Sequence, residues 1–303
     1  MNFTNQKPID HILNGLFETY AQRVSSVRQI TKLLIDKGCI KSQEEIINDH
    51  IAFRTLGIPH LGIASFEKIF LYHGYQKMEP YHFEVKKLDA YWYKPPNDHY
   101  PRVFISELRV GDLSDKAQQI IHHYTQNIHS DPVDALNLDD AETVVKFLHQ
   151  PLWQTPTYDD YLQLLSETEY GAWVLYNRYY LNHYTISIHA LKAPYNRLER
   201  FNDLLKEAGI ALNNAGGEIK VSKDGLLRQS STVAHTVESD FAEGDTHTIA
   251  GSYVEFAERG VLPQFADLSE ENLTNTHRRE GFEAGNADKI FESTFSHQTR
   301  RKV

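Results

Sequence analysis

Asp49-His50-Ile51-Ala52-Phe53-Arg54 and Asn182-His183-Tyr184-Thr185-Ile186-Ser187 open two stretches of the chain in the same way: a polar residue, a histidine, then a β-like run. Each run leads through a loop into an amphipathic segment, SFEKIFLYHG from Ser65 to Gly74 in the first copy and NRLERFNDLLKEAG from Asn196 to Gly209 in the second. Three strand-like runs follow each helix. They are Tyr81–Lys87, Asp89–Tyr93 and Arg102–Val110 in copy one, and Glu218–Ser222, Gly225–Val233 and Ser252–Glu258 in copy two. Both last strands carry a glutamate, Glu107 and Glu255. The pattern predicts an α+β fold of two βαβββ modules, 49–110 and 182–260, forming a pseudo-symmetric sheet with a metal at its centre.

Outside the modules the periodicity is helical. Apolar residues from Ile12 to Leu34 recur at 3–4 spacing between Asp10, a plausible N-cap, and Gly38, predicting N-terminal helix over 10–38. Residues 111–181 read as a helical insertion. Ser114 can cap a helix with Ala117, Ile120, Ile121 and Tyr124 on its apolar face, and further helices are predicted at Asp140–Phe147 and Tyr158–Tyr170. The remainder, 261–303, is a more polar tail with short helices at Glu271–Thr276 and Ala284–Thr294. No Gly/Ser-rich linker interrupts the chain, so 1–303 is expected to form a single domain.

Composition excludes several classes of function. Forty-one acidic against 31 basic residues give a net charge of −10, which leaves no electrostatic footprint for nucleic acid. One cysteine, Cys39, rules out an intramolecular disulfide framework. The first ten residues lack an apolar signal-peptide core and no apolar run is long enough to span a membrane, so a soluble, cytoplasmic protein is expected. The GxGxxG, P-loop and GxSxG motifs are all missing.

Two imidazoles and one carboxylate on one face of a metal leave adjacent positions open, the arrangement of non-haem Fe(II) oxygenases. His50 and His183, at matching positions of the two copies, are the natural imidazole pair, and Glu255 is the natural carboxylate. Glu107, taken as the symmetry mate of Glu255, is a candidate fourth ligand or a group supporting a ligand. A single histidine at a strand start is commonly just a satisfied polar residue; the repeat is what favours a metal. The adjacent pair His122-His123 among the chain's 16 histidines has no such support. Arg54 shares a strand face with His50 about 13 Å further on, where a guanidinium could anchor the far carboxylate of a short substrate; its alternative is a structural ion pair. Gln229, Ser231 and Thr232 are polar where a buried strand would be apolar, which suits a pocket wall or a solvated edge. Glu258 and Arg259 read as a solvated strand end.

DHIAFRTLG, the Asn-His opening of the second copy, LLRQSSTVA, YVEFAERG and the tail RREGFEAGNADKIFEST together resemble the DUF1338 family, from about Ile12 to Thr294. That family includes 2-oxoadipate dioxygenase/decarboxylase, also called hydroxyglutarate synthase. The resemblance implies a vicinal-oxygen-chelate-like curved sheet or half-barrel and Fe(II)-dependent conversion of 2-oxoadipate and O2 to 2-hydroxyglutarate and CO2, a step of lysine catabolism. It assigns the metal to His50, His183 and Glu255, and the substrate carboxylate to Arg54 in the same H-x-x-x-R spacing. Set against the bacterial members, which have an additional C-terminal portion that contributes to the substrate pocket, the chain is expected to be shorter. Two other readings remain at this point. One is a glyoxalase-type lyase or hydrolase using Zn2+ or Ni2+ with Glu107 as fourth ligand; the other is a non-catalytic binder of small acids.

Overall fold

Two helices, α1 (Pro8–Arg23) and α2 (Ser25–Asp36), precede the sheet in the computed structural model, which describes residues 3 and 6–300. The apolar stripe predicted helix over 10–38, and it is divided in two where the backbone turns extended at Val24. Pro8 occupies the first helical positions, and Asp10 reaches back from the first turn. Its Oδ2 accepts from the backbone N–H groups of Gln6 and Lys7 at 3.0 and 3.2 Å.

The first module runs β1 (Asn48–Leu56), α3 (Ile63–Tyr72), β2 (Gln76–Phe83), β3 (Leu88–Lys94) and β4 (Arg102–Leu108). The insertion supplies α4 (Asp115–Thr125), α5 (Ala141–His149), α6 (Tyr158–Glu167) and α7 (Glu169–Asn177). Tyr158–Tyr170 was expected as one helix. Thr168 divides it, its side chain accepting from Gly171 N–H to cap α7. The second module contains β5 (His183–Ser187), α8 (Leu198–Glu207), β6 (Lys220–Val221) and β7 (Leu227–Ser231). A hairpin, β8 (Thr236–Asp240) with β9 (Thr246–Ala250), then intervenes before β10 (Tyr253–Arg259). Nothing in the two-copy reading anticipated that hairpin, because it has no counterpart in the first copy. The tail places α9 (Ala284–Phe291) and α10 (Ser296–Thr299), with two 3-10 turns where a helix over Glu271–Thr276 was expected.

Eight strands form one sheet in the order β2-β3-β4-β1-β5-β10-β7-β6. Read outward from the central β1–β5 antiparallel pair, each half repeats: opening strand, closing strand in parallel, then two antiparallel strands. The fold is thus α+β with a pseudo-symmetric sheet flanked by N-terminal, inserted and C-terminal helices. The outer strand β2 is largely exposed and carries Lys77, Glu79 and Pro80, groups that discourage edge-to-edge pairing. The central strands are buried on both faces: β1 from Asp49 onward, and all of β5 and β10.

Register sets the correspondence between halves. On the parallel pairs His50 faces Arg102 and His183 faces Tyr253, while Ala52 faces Phe104 and Thr185 faces Glu255. Aligning the two histidines therefore makes Phe104, not Glu107, the counterpart of Glu255. Glu107, paired with Thr55, corresponds to Glu258.

Candidate metal centre

His50 near the start of β1, His183 at the start of β5 and Glu255 in the middle of β10 are brought to one point. Their ligand atoms lie within 4.8 Å of one another, and all three residues are buried. Glu255 Oε2 is 3.0 Å from His183 Nε2 and 3.5 Å from His50 Nε2. The rings stand 5.5 Å apart and nearly perpendicular.

What aims both Nε2 atoms inward is the residue before each histidine. Asp49 Oδ1 lies 2.8 Å from His50 Nδ1, and Asn182 Oδ1 lies 3.0 Å from His183 Nδ1. An oxygen acceptor there keeps the proton on Nδ1 and leaves Nε2 free as a donor atom for a metal. Glu255 is held in turn. Gln229 Nε2 donates to its Oε1 at 2.7 Å, and Asn286 Nδ2 on α9 donates to Gln229 Oε1 at 2.9 Å. Burial acts to raise the Glu255 carboxyl, but the two imidazoles hold it at about 2. Burial likewise opposes the charged form of His50, yet Glu255 and Asp49 raise it, whereas for His183 burial prevails and lowers it. Two neutralisable imidazoles and an ionised carboxylate fit a divalent first-row cation. Thr185 Oγ1 is 3.0 Å from His50 Nε2.

Asp49 has a second task. Arg259, at the end of β10, donates Nε to Asp49 Oδ2 at 2.6 Å and Nη2 to Oδ1 at 2.9 Å. Its Nη1 donates to the carbonyls of Arg279 and Gly281 at 2.9 and 2.8 Å. Glu258 is equally buried, its Oε2 accepting from Leu198 N–H at 2.9 Å at the head of α8. The expectation of a solvated strand end fails because the 278–282 segment folds over Arg259 and α8 docks on Glu258, contacts that local sequence does not disclose.

Glu107 is not at the centre. It points to the opposite face of the sheet, where its Oε2 accepts from Ile63 N–H at 2.7 Å and caps α3. This is the same bond that Glu258 makes to α8. Gly62 at the N-cap is required by the close approach: a Cβ there would overlap the Glu107 carboxylate. Glu107 is thus neither a fourth ligand nor a support for one. Glu107 and Glu255 lie on equivalent strands but at different registers and on opposite faces of the sheet.

Arg54 lies on the same side of β1 as His50 and lines the same cavity. It is 1 % exposed, yet no carboxylate among the described residues lies within 4.0 Å of it. Nη1 donates to Thr294 Oγ1 at 2.9 Å and Nη2 to the Phe291 carbonyl at 3.1 Å, and Nε completes no hydrogen bond among the described residues. The rings of Tyr170 and Trp173 flank it at 5.0 and 5.2 Å. Burial lowers its pKa. Gln229 lines the cavity, but its amide is committed to Glu255. Ser231 and Thr232 do not reach it: Ser231 Oγ meets Ser293 Oγ at 2.9 Å, and Thr232 Oγ1 takes Val254 N–H at 3.1 Å. The covering wall is Phe282, Ile290 and Phe291 from the tail, with Phe104 below. The cavity is narrow and partly open, with about 20 Å3 accessible to the centre of a water molecule. Asn286, Thr294 and Tyr253 had gone unassigned. The only sequence signal for the first two was their place in the tail motif.

A family model described as 2-oxoadipate dioxygenase/decarboxylase matches residues 12–273. The chain belongs to this family. An Arabidopsis thaliana protein named "2-oxoadipate dioxygenase/decarboxylase, chloroplastic" is 45% identical over 271 residues, 86% of this chain and 71% of its own. A relative from Oryza sativa subsp. japonica with the same enzyme name, "chloroplastic/amyloplastic", is 41% identical over 301 residues, 96% of this chain and 80% of its own. The crystal structure of an Oryza sativa hydroxyglutarate synthase in complex with 2-oxoadipate superposes with a TM-score of 0.86 at 41% identity, covering 96% of this chain and 93% of that one. These relatives overturn the expectation of a cytoplasmic protein. The lack of an apolar run near the start of the sequence does not bear on this, since plastid transit peptides are amphipathic and Ser- and Arg-rich.

Proposed function

We propose that this chain is an Fe(II)-dependent dioxygenase/decarboxylase that takes 2-oxoadipate and O2 to 2-hydroxyglutarate and CO2. The observation that carries the reading is the pairing, in one buried cavity, of a two-His-one-carboxylate cluster with a buried arginine that has no carboxylate partner among the described residues. An unpaired buried guanidinium is costly, and a substrate carboxylate removes that cost when it binds. The names of the relatives support the same substrate class.

His50, His183 and Glu255 would hold the metal. When bound, Fe(II) with open coordination positions supplies the chemistry that activates O2 and a chelating 2-oxo acid. The protein's own part is positional. Asp49, Asn182 and Gln229 fix the ligand atoms, while Arg54 fixes the far end of the substrate so that its 2-oxo carboxylate end reaches the cluster. The aromatic wall excludes water from the reacting end. The glyoxalase-type alternative loses its fourth ligand, since Glu107 serves the other face.

Anaerobic reconstitution with Fe(II), followed by admission of O2 with 2-oxoadipate, tests the reading. Uptake of one O2 per CO2 released, with 2-hydroxyglutarate as product, is expected. Full iron loading with no oxygen uptake on any 2-oxo diacid would overturn it.

A further inference from the structure

Arg54 has company at its end of the cavity. Tyr253 stands two residues before Glu255 on β10, on the same face of the sheet, with its Cα paired to that of His183. Its ring stacks on the His183 ring, 4.7 Å between centroids, and its backbone carbonyl accepts the Tyr20 hydroxyl. The ring is therefore fixed, beside the cluster at one side and beside the Arg54 guanidinium at the other. The side chain is fully buried and lines the cavity, yet its hydroxyl completes no well-formed hydrogen bond among the described residues, with the Arg54 guanidinium and the Ser293 hydroxyl beside it. The neighbouring Ser293 hydroxyl is already committed. It donates to the Ile290 carbonyl and accepts from Asn213 Nδ2.

Two donors that complete no hydrogen bond among the described residues, Tyr253 Oη and Arg54 Nε, thus belong to residues lining one cavity. Buried donors left unsatisfied are rare and costly. A carboxylate carries two acceptor oxygens and can satisfy both at once, whereas a methyl group at that place would leave both bare. A ring needed only for packing would be served equally well by phenylalanine, and the hydroxyl would then have no reason to be buried.

Building on the function proposed above, we propose that Tyr253 is a specificity-determining residue: its hydroxyl donates to the far carboxylate of the substrate together with Arg54 Nε, selecting 2-oxo diacids over 2-oxo monoacids of equal length. Recognition of this kind discriminates strongly, because the ligand lacking the carboxylate strands the donors that its competitor satisfies.

The test compares the full-length wild type with Tyr253→Phe, both loaded with redox-inert Zn(II). Calorimetric titration with 2-oxoadipate and with 2-oxohexanoate, which has the same chain without the far carboxylate, reads binding independently of turnover. Wild type should prefer the diacid. Tyr253→Phe should lose roughly tenfold to a hundredfold in affinity for the diacid, the range for a hydrogen bond to a charged group, with no comparable loss for the monoacid. Its ligand-free melting temperature should be unchanged or higher, since only an unpartnered oxygen is removed. Equal losses on both ligands, or no loss on the diacid, would overturn the proposal; so would a wild type that does not discriminate, a result that needs no variant to fold. Diacid preference at Zn(II) with no oxygen uptake at Fe(II) would instead defeat the oxygenase reading and leave the Tyr253 assignment standing.

Discussion

The two βαβββ modules are alike where they build the sheet and unlike where they build the pocket. Aligned on their histidines, they share His50 with His183 and Glu107 with Glu258, each glutamate accepting from the first N–H of its module's helix. The differences that matter for the site are Asp49 with Asn182, Arg54 with Ser187, Phe104 with Glu255, and Arg102 with Tyr253. The shared residues place an imidazole at the centre of each half and fasten a helix to the back. The unshared ones make the cavity one-sided, with the carboxylate ligand from one module and the cationic anchor from the other. Repetition marks the scaffold here, and departure from repetition marks the site.

The largest expected effect lies at the Asp49/Asn182 position. Asn182 makes one neutral hydrogen bond to its histidine, whereas Asp49 also neutralises the buried Arg259. Asp49→Ala should strand that guanidinium and cost ~3–5 kcal/mol in folding stability, with metal stoichiometry falling as His50 loses its orienting acceptor. Asn182→Ala should lower metal affinity with a much smaller effect on unfolding. The sign with pH follows. Burial acts to raise the Asp49 carboxyl, but Arg259 and Arg102 hold it well below its ordinary value. The stability it contributes is therefore complete above the unfolded pKa of about 4 and drains as pH falls below that. Chemical denaturation of the metal-free proteins from neutral to acid pH measures this. Equal stability of the two alanine variants would break the comparison.

Arg54 and its counterpart Ser187 come next. Arg54→Met removes an anchor that has no carboxylate, so folding stability should be preserved or increased. The value of kcat/KM for 2-oxoadipate should drop by ~2–4 kcal/mol, roughly 30-fold to 1000-fold, with iron stoichiometry intact. Oxygen-uptake kinetics beside a melting curve decide it. A variant that melts as early as Asp49→Ala would mark Arg54 as structural.

These contrasts also explain what the sequence disclosed. Strand alternation put His50 and Arg54 on one face, and the repeat singled out His183, so the central positions were legible from local pattern alone. Arg259 was misread because its burial comes from a segment some twenty residues onward folding over it, and neither a propensity nor a period encodes that. The β8–β9 hairpin escaped because the two-copy template left no place for an element present once. Tyr253 and Asn286 escaped for another reason: a buried tyrosine or asparagine is unremarkable until its partners, or their absence, can be inspected. Ser231 misled in the reverse sense, since its polar character serves the Ser293 contact beneath the tail and not the pocket.

The smallest effect should come from Glu107, where the modules agree. Its carboxylate accepts from Ile63 N–H at the head of a ten-residue helix, on the face away from the cluster. Burial raises its pKa against the opposing pull of that N–H, so its negative charge is not strongly favoured. Glu107→Gln keeps an oxygen acceptor for the same N–H and forfeits only the charge–dipole component, ~0.3–1 kcal/mol. Stoichiometric metal and an unchanged kcat/KM should accompany that small loss. At the matching position Glu258→Gln should cost more, because Glu258 also receives Arg197 at 2.8 Å and Arg228 at 3.4 Å. The pair of variants separates two accounts of the shared glutamates. If both are helix anchors, stability falls in the order given while metal content stays level. If Glu107→Gln alone empties the metal site, the register correspondence is wrong and the first module's glutamate has a role that its partner lacks.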